Sequence, residues 1–418
     1  MFRRAFHPPP QASGVPRAAA LLHAPQFTEG IAMETPGGLA VSPELLQYCE
    51  QQVDAVIRTA EQLIRSESPS ADQQAIARSA ELVHRIGSDL MGAPGVIHEV
   101  DGCSNVSWTF GAGTRGSVLV LGHHDTVWPH GTIGRIPFAA TPTVRGPGCL
   151  DMKVGVAIAF HAVAMLRPAD GIEVLITGDE ELGSPSSRAL IADRAARATA
   201  ALVFESGADD GSLKTARKGR SQYRLVFRGR GAHAGLEPER GANALVELSA
   251  AVLAIEALGN QTGGTTVVPS VATAGTTVNT VPDHAELQVD VRSDHLAELE
   301  RVDREIRRVG GRVPGTEIVV HGGIDRPPLT EDMSAPLLSR ARSIWRALGL
   351  GELGGARVGG GSDGNLTASA GVPTLDGLGA VGAGPHADHE YVDRAQLAGR
   401  LALAVSLLAE LTGTEVTT

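Results

Sequence analysis

Val118-Leu119-Val120-Leu121 runs straight into Gly122-His123-His124-Asp125, and the reading of that junction decides the fold. Four apolar residues without polar alternation read as a strand buried on both faces. Imidazoles and an acid follow at its end. The same texture returns at Val174-Leu175-Ile176, ahead of Gly178-Asp179-Glu180-Glu181, and at Ala201-Leu202-Val203-Phe204, ahead of Glu205. Helical patterns over Val154 to Leu166 and, after Ser184-Pro185, over Ser187 to Arg197 separate these runs. Strands alternating with helices predict an α/β domain built on a mostly parallel, helix-covered sheet. Ligand groups of such a sheet gather at the strand ends.

Upstream, Ser42-Pro43-Glu44 supplies a cap, a first-turn proline and an acid before the apolar-periodic stretch Leu45 to Ile64. Ser70 with Gln73 has the form of a second capping box. Two helices therefore open the domain. Near residue 218 the texture changes. Tyr223 to Arg228 and Glu286 to Arg292 alternate apolar with polar residues, as strands with one wet face do, and Asn243 to Leu258 reads as an amphipathic helix between them. Past Pro327-Pro328 the first texture resumes, with a helix from Ala335 to Leu348, an apolar run from Val372 to Leu375 and a final helix from Arg394 to Leu411. The pattern predicts a main domain in two pieces, 42–217 and 328–418, split by a smaller α+β insert at 218–327. Residues 1–41, with Arg3-Arg4 and Pro8-Pro9-Pro10, read as a disordered extension, and Met33 offers a second start of translation beside Met1.

A chain of 418 residues exceeds the size at which a single core keeps growing. Its 42% hydrophobic and 20% charged content is that of a globular protein. The net charge of −11 argues against nucleic acid or an anionic membrane as the main partner, because both require a basic face. Ala18 to Leu22 is too short for a secretory apolar region, and Arg400 interrupts the most apolar helix, so no membrane span is expected. Cys49, Cys103 and Cys149 are odd in number and far apart, which fits neither a disulfide framework nor a zinc-thiolate site and suits a reducing, cytoplasmic compartment.

The chemistry lies in five places where an acid or imidazole stands beside a strand end: His123-His124-Asp125, Asp151, Glu180-Glu181, Glu205 and His386. Imidazole nitrogen and carboxylate oxygen are the ligands of zinc and its relatives, and a metal-bound histidine usually passes its other N–H to a carboxylate. In an extended segment His123 and Asp125 point to one face, so Asp125 can orient His123 while His124 points away. Glu180 and Glu181 are like charges that repel unless a cation lies between them. One can bind metal while the other remains free as a general base.

The strings Gly122-His-His-Asp-Thr-Val127, Gly146-Pro-Gly-Cys-Leu-Asp-Met-Lys153, Gly178-Asp-Glu-Glu-Leu-Gly183, Phe204-Glu205, Ala232-His-Ala-Gly235 and Gly384-Pro-His386 resemble, in order and spacing, the zinc metallopeptidases that include glutamate carboxypeptidases, acetylornithine deacetylases and succinyl-diaminopimelate desuccinylases. The likeness is greatest to the glutamate carboxypeptidase branch and covers about residues 42 to 415. It implies the phosphorylase/hydrolase-like fold of zinc exopeptidases, with the insert as lid and homodimer interface. It implies two Zn²⁺ per subunit, replaceable by Co²⁺ or Mn²⁺: His123, Asp151 and Glu205 on one, Asp151, Glu181 and His386 on the other. Glu180 would be the base, and His233 would reach across the dimer to the substrate carbonyl. Asn279 and Arg292 would hold a substrate carboxylate, with Gly360-Gly-Ser362 lining that pocket. The implied substrate is a small peptide or N-acyl amino acid. Met152 departs from the pattern, since some relatives carry Asp after the bridging acid.

Two other motifs compete. Gly111-Ala-Gly113-Thr-Arg-Gly116 has the G-x-G-x-x-G form of a dinucleotide site but leads into the strand from Val118 instead of a helix N-terminus, so a hairpin turn is the reading. Gly360-Gly-Ser362-Asp-Gly364 has the form of a nucleophile elbow, with Asp376 and His386 following in the order of a serine hydrolase. No apolar strand leads into it, and it leaves the five acid and imidazole positions unexplained. A non-catalytic peptide-binding relative would lack Glu180 or a metal ligand, and all are present. Cys149, two residues before Asp151, is assigned to packing.

Overall fold

The computed structural model describes residues 41–111, 116–166 and 168–417. The extension expected over 1–41 therefore lies, Val41 apart, outside the described residues. In chain order come α1 (Pro43–Arg65), α2 (Gln73–Met91), β1 (Val96–Val100), β2 (Cys103–Phe110), β3 (Ser117–His123), α3 (Thr132–Arg135), β4 (Val144–Arg145), α4 (Val154–Ala164), β5 (Ile172–Thr177), α5 (Arg188–Ala195), β6 (Ala198–Val203), β7 (Leu213–Arg217) and β8 (Gly219–Arg228). They are followed by α6 (Ala244–Glu256), β9 (Thr266–Ala274), β10 (His284–Ser293), α7 (Leu296–Ile306), β11 (Glu317–Arg326), α8 (Glu331–Ala347), β12 (Gly355–Val358), α9 (Gly364–Ser369), β13 (Thr374–Leu375), β14 (Gly382–Ala383), β15 (Tyr391–Val392) and α10 (Leu397–Thr412).

Six strands make the main sheet in the order β1-β2-β5-β3-β6-β13. The four strands β5, β3, β6 and β13 run parallel. The β1–β2 hairpin adds antiparallel strands at one edge. Both faces are buried, which is why the strands read as unbroken apolar runs. Val118 and Val120 join the core formed with α1, α2, α4 and α10. Leu119 and Leu121 face the other way, onto Ile191 of α5 and Leu366 of α9. The helix α4 packs so tightly on the sheet that a Cβ at Gly155 would lie 2.1 Å from the Phe204 carbonyl oxygen. Only glycine fits there.

Three local readings are corrected. The cap of α2 is Asp72, which accepts from the N–H groups of Gln74 and Ala75; Ser70 instead donates to the Asp125 carboxylate at 2.7 Å, a stronger, charge-assisted bond. The glycine-rich stretch from Gly111 to Gly116 does not close a hairpin, because β2 and β3 lie on opposite sides of β5; its residues 112–115 lie outside the described residues. The helix expected from Ala335 starts at Glu331 and carries Pro336 inside.

A second core sits within the segment from β8 to β11. Its four strands, in the order β11-β8-β10-β9, are all antiparallel. Tyr223, Leu225 and Phe227 of β8 and Leu287, Val289 and Val291 of β10 pack against α6 and α7. The alternate residues Gln222, Arg224, Gln288, Asp290 and Arg292 turn to the polar face. In the main domain, the stretch Arg394–Thr412 is long and apolar enough to cross a membrane, yet 72% of its most apolar window is buried inside the fold. Within it, Arg400 lies over the Trp345 ring and donates to the carbonyls of Gly377 and Gly211.

Candidate metal centre

The carboxyl ends of the parallel strands bring the acids and imidazoles together. His123 closes β3, Glu181 follows β5, Glu205 follows β6, Asp151 precedes α4, and His386 lies in the loop from β14 to β15. His123 Nε2 lies 3.1 Å from Asp151 Oδ1 and 3.5 Å from Glu205 Oε1. His386 Nε2 lies 3.1 Å from Asp151 Oδ2 and 3.2 Å from Glu181 Oε1. Each group of three places its ligand atoms within 4.8 Å of one another, and the two groups share Asp151, one oxygen to each. His386 holds a left-handed backbone, φ 62°, a conformation that costs a non-glycine residue about 1–3 kcal/mol.

The electrostatics fit a pair of cations. Burial pulls the His123 imidazole down, but Asp125, Asp151 and Glu205 outweigh it and hold it well above its usual range. Asp151 and Glu181 push His386 up to about 10 against its burial. Asp151 itself is raised by burial yet held far below the carboxylate range by the two imidazoles. The carboxylates thus gather positive charge at the two points where nitrogen and oxygen donors converge, and the donor types suit zinc, cobalt or manganese.

Asp125 supports both halves of the cluster. His123 Nδ1 lies 3.0 Å from its carbonyl and 3.3 Å from its Oδ1, while the carboxylate accepts from Ser70 Oγ and from the N–H groups of Glu180 and Glu181. Glu180 stands differently from Glu181. Its Oε1 accepts from Arg326 Nη1 at 2.6 Å, and burial pushes its carboxyl up to about 8 despite that guanidinium. Arg326 also donates to Ser184 Oγ at 2.7 Å and lies 3.3 Å from Asp363.

Two further supports escaped sequence reasoning. Arg217 is buried, donates from Nε to Asp376 at 2.7 Å and from Nη1 to the Gly360 carbonyl at 3.0 Å, and stands 3.7 Å from Glu205. Glu390 is buried beneath the Asp151 loop. A lone Arg on a short strand and a Glu in a polar loop carry no spacing signal; only the proximity of Glu390 to His386 in sequence could have drawn attention to it.

The remaining expected site residues fall into separate groups. His233 is exposed, and its Nδ1 accepts from the N–H groups of Gly235 and Leu236, which leaves the proton on Nε2. Asn279 lies beside it, its carbonyl accepting from Ala234. Among the described residues neither bonds to the metal-ligand cluster. Arg292 is held by Asp290 at 2.9 Å and donates to the Gly359 carbonyl at 3.2 Å, next to exposed Gly360. Ser362 is corrected: it is fully buried, so it cannot line a substrate pocket, and its Oγ donates to Asp376 at 2.6 Å. The serine-hydrolase reading of Ser362, Asp376 and His386 falls with it, since His386 is turned to Asp151 and Glu181. His124 points away from the cluster and is a core residue, bonded to Ser79 and the Ser104 carbonyl. Met152 offers its sulfur to the His123 N–H at 3.3 Å, and Cys149 is buried. A cavity of 460 Å³ adjoins the cluster, for its wall includes Leu150, Ser206 and Pro385, the chain neighbours of Asp151, Glu205 and His386, together with Lys214.

A helix-covered sheet with such a cluster at its strand ends defines the class as a metallohydrolase. The chain belongs to peptidase family M20/M25/M40, which it matches over residues 119–410. It is 30% identical to carboxypeptidase G2 of Pseudomonas sp. (strain RS-16) over 383 residues, 88% of this chain and 92% of that relative. Among solved structures it resembles an M20 metallo-carboxypeptidase from Sulfolobus solfataricus, with a TM-score of 0.68 at 15% identity, covering 84% of this chain and 98% of the other. It likewise resembles a dinuclear metal-binding M20 peptidase from Bacillus subtilis, with a TM-score of 0.60 at 15% identity and coverage of 88% and 100%. At those identities the likeness concerns the fold.

Proposed function

We propose that the protein is a dinuclear zinc hydrolase of amide bonds, an exopeptidase or N-acyl amino acid amidohydrolase in the manner of carboxypeptidase G2, acting on small substrates with a free carboxylate. The observation that carries this reading is the pair of three-ligand groups sharing Asp151 beside an acid, Glu180, that belongs to neither. His123, Asp151 and Glu205 would hold one ion, and Asp151, Glu181 and His386 the other. Zinc is the expected metal, with Co²⁺ or Mn²⁺ as substitutes. When bound, the ions would lower the pKa of a water toward about 7 and polarise the scissile carbonyl.

The chain's own residues do the rest. Glu180, held in place by Arg326 and kept ionised by the positive charge of two bound ions, would take the proton of the attacking water on its carboxylate and return it to the leaving nitrogen. His233, with its proton on Nε2, is suited to donate to the developing oxyanion. In this reading it reaches the site of a second subunit. Segment 218–327 would then be lid and homodimer interface. Edge strand β9 exposes Val268 and Val271, and α6 exposes Leu245, Val246 and Leu253. The guanidinium of Arg292, with Asn279, would receive the substrate carboxylate. We place the enzyme in the cytoplasm on its cysteine usage. A panel of N-acyl amino acids and dipeptides, each free and amidated at the carboxyl end, tests the reading. At least one free acid should turn over and its amide should not; equal turnover of both would remove the carboxylate requirement.

A further inference from the structure

The geometry points to Glu390 as a positioning residue that fixes the spacing of the second metal site, Asp151, Glu181 and His386; this rests on the two-metal reading. Its carboxylate is fully buried and accepts four hydrogen bonds. Oε1 takes the backbone N–H groups of Leu150, at 2.8 Å, and Asp151, at 3.1 Å. Oε2 takes the N–H of Gly148, at 3.0 Å, and the indole N–H of Trp128, at 3.1 Å. Four donors fill the acceptor capacity of one carboxylate, so the side chain has no bond left for substrate or metal.

The donors come from two separate loops. Trp128 follows the strand that ends in His123, and Gly148 to Asp151 form the turn that presents the shared acid. Glu390 itself ends the loop that carries His386, just before β15, and β15 pairs with both β14 and β4. Asp151 and His386 are distant in sequence, yet their nitrogen–oxygen contact of 3.1 Å is spanned by one covalent stretch, His386 to Glu390, and one bundle of hydrogen bonds, Glu390 to the Asp151 loop. An uncharged amide there would turn an N–H₂ group toward some of those donors and lose the charge. Glu181 and His386 would then face a shared acid whose loop is no longer held.

Supports of this kind change metal affinity by about 10- to 100-fold. The test is a Co²⁺ titration of chelator-stripped wild type and Glu390→Gln, followed by the visible absorption of the bound ion, with circular dichroism to verify folding. Wild type should take two equivalents. In the variant one of the two equivalents should bind about 10- to 100-fold more weakly, with the other shifted less. Wild-type affinity for both equivalents, or equal weakening of both, overturns the role assigned to Glu390. A wild type that takes no Co²⁺ overturns the two-metal reading instead. If Glu390→Gln does not fold, Trp128→Phe, which removes one donor, should likewise weaken one equivalent more than the other, and an unshifted titration would count against the inference.

Discussion

Glu180 and Glu181 are chain neighbours with opposite surroundings. Glu181 meets His386 at the cluster, whereas Glu180 is withdrawn from it into the grip of Arg326. Their backbone N–H groups hang from one carboxylate, that of Asp125, so a single residue sets where both acids point. Replacing Glu180 with Gln keeps the shape and removes the basic oxygen. Turnover should fall by about 100- to 10,000-fold, the usual worth of a general base, with both metals still found by elemental analysis. A fully active variant would remove Glu180 from the mechanism. Arg292→Ala should raise KM for free-acid substrates by about 10-fold or more, the value of one charge-assisted bond, and an unchanged KM would remove Arg292 from substrate binding. The metal-ligand candidates were legible because acids and imidazoles at strand ends are rare and recur here in order. Ser362 misled for the same reason that motifs often do: its flanking glycines match an elbow, but burial against Asp376 is a tertiary fact that no local pattern contains.

At the scale of elements, the central strands and their helices could be read because burial on both faces writes unbroken apolar runs, as at Val118 to Leu121. The β1–β2 hairpin was missed because β2 buries Ser104, Asn105 and Ser107, which do not look like core. Asn105 Oδ1 accepts from the Gly178 N–H, so that polarity serves the loop behind Glu180. The seam between α1 and α4 shows a further buried polar contact, in which His161 Nε2 lies 3.0 Å from Thr59 Oγ1. Burial and then Arg58 lower the His161 imidazole to about 4. An unfolded chain binds that proton near pH 6.5, so stability is full above 6.5 and falls as the pH drops toward 4, by on the order of 3 kcal/mol. Thermal melts between pH 7 and 4 should show a smaller acid-induced fall in Tm for His161→Gln than for wild type. Parallel falls would dismiss His161 as a source of acid sensitivity.

Over the whole molecule, a cluster of candidate metal ligands at the ends of a main sheet is paired with an antiparallel insert that bears His233, Asn279 and Arg292. Separate cores for the two parts explain why the sequence texture changes near residue 218 and changes back after Pro327. The exposed valines of edge strand β9 suggest how the proposed dimer can be broken. Val271→Asp should yield monomers in sedimentation velocity and a large loss of turnover, and an active monomer would contradict the cross-subunit role of His233. The central claim is metal-dependent amide hydrolysis by an Asp151-bridged pair. Its most direct test is to strip the protein with a chelator and restore Zn²⁺ stepwise while turnover and bound metal are measured together. The account predicts that activity vanishes on stripping and returns fully as the second equivalent binds. Undiminished turnover in the stripped protein, or full recovery with one equivalent, would contradict it.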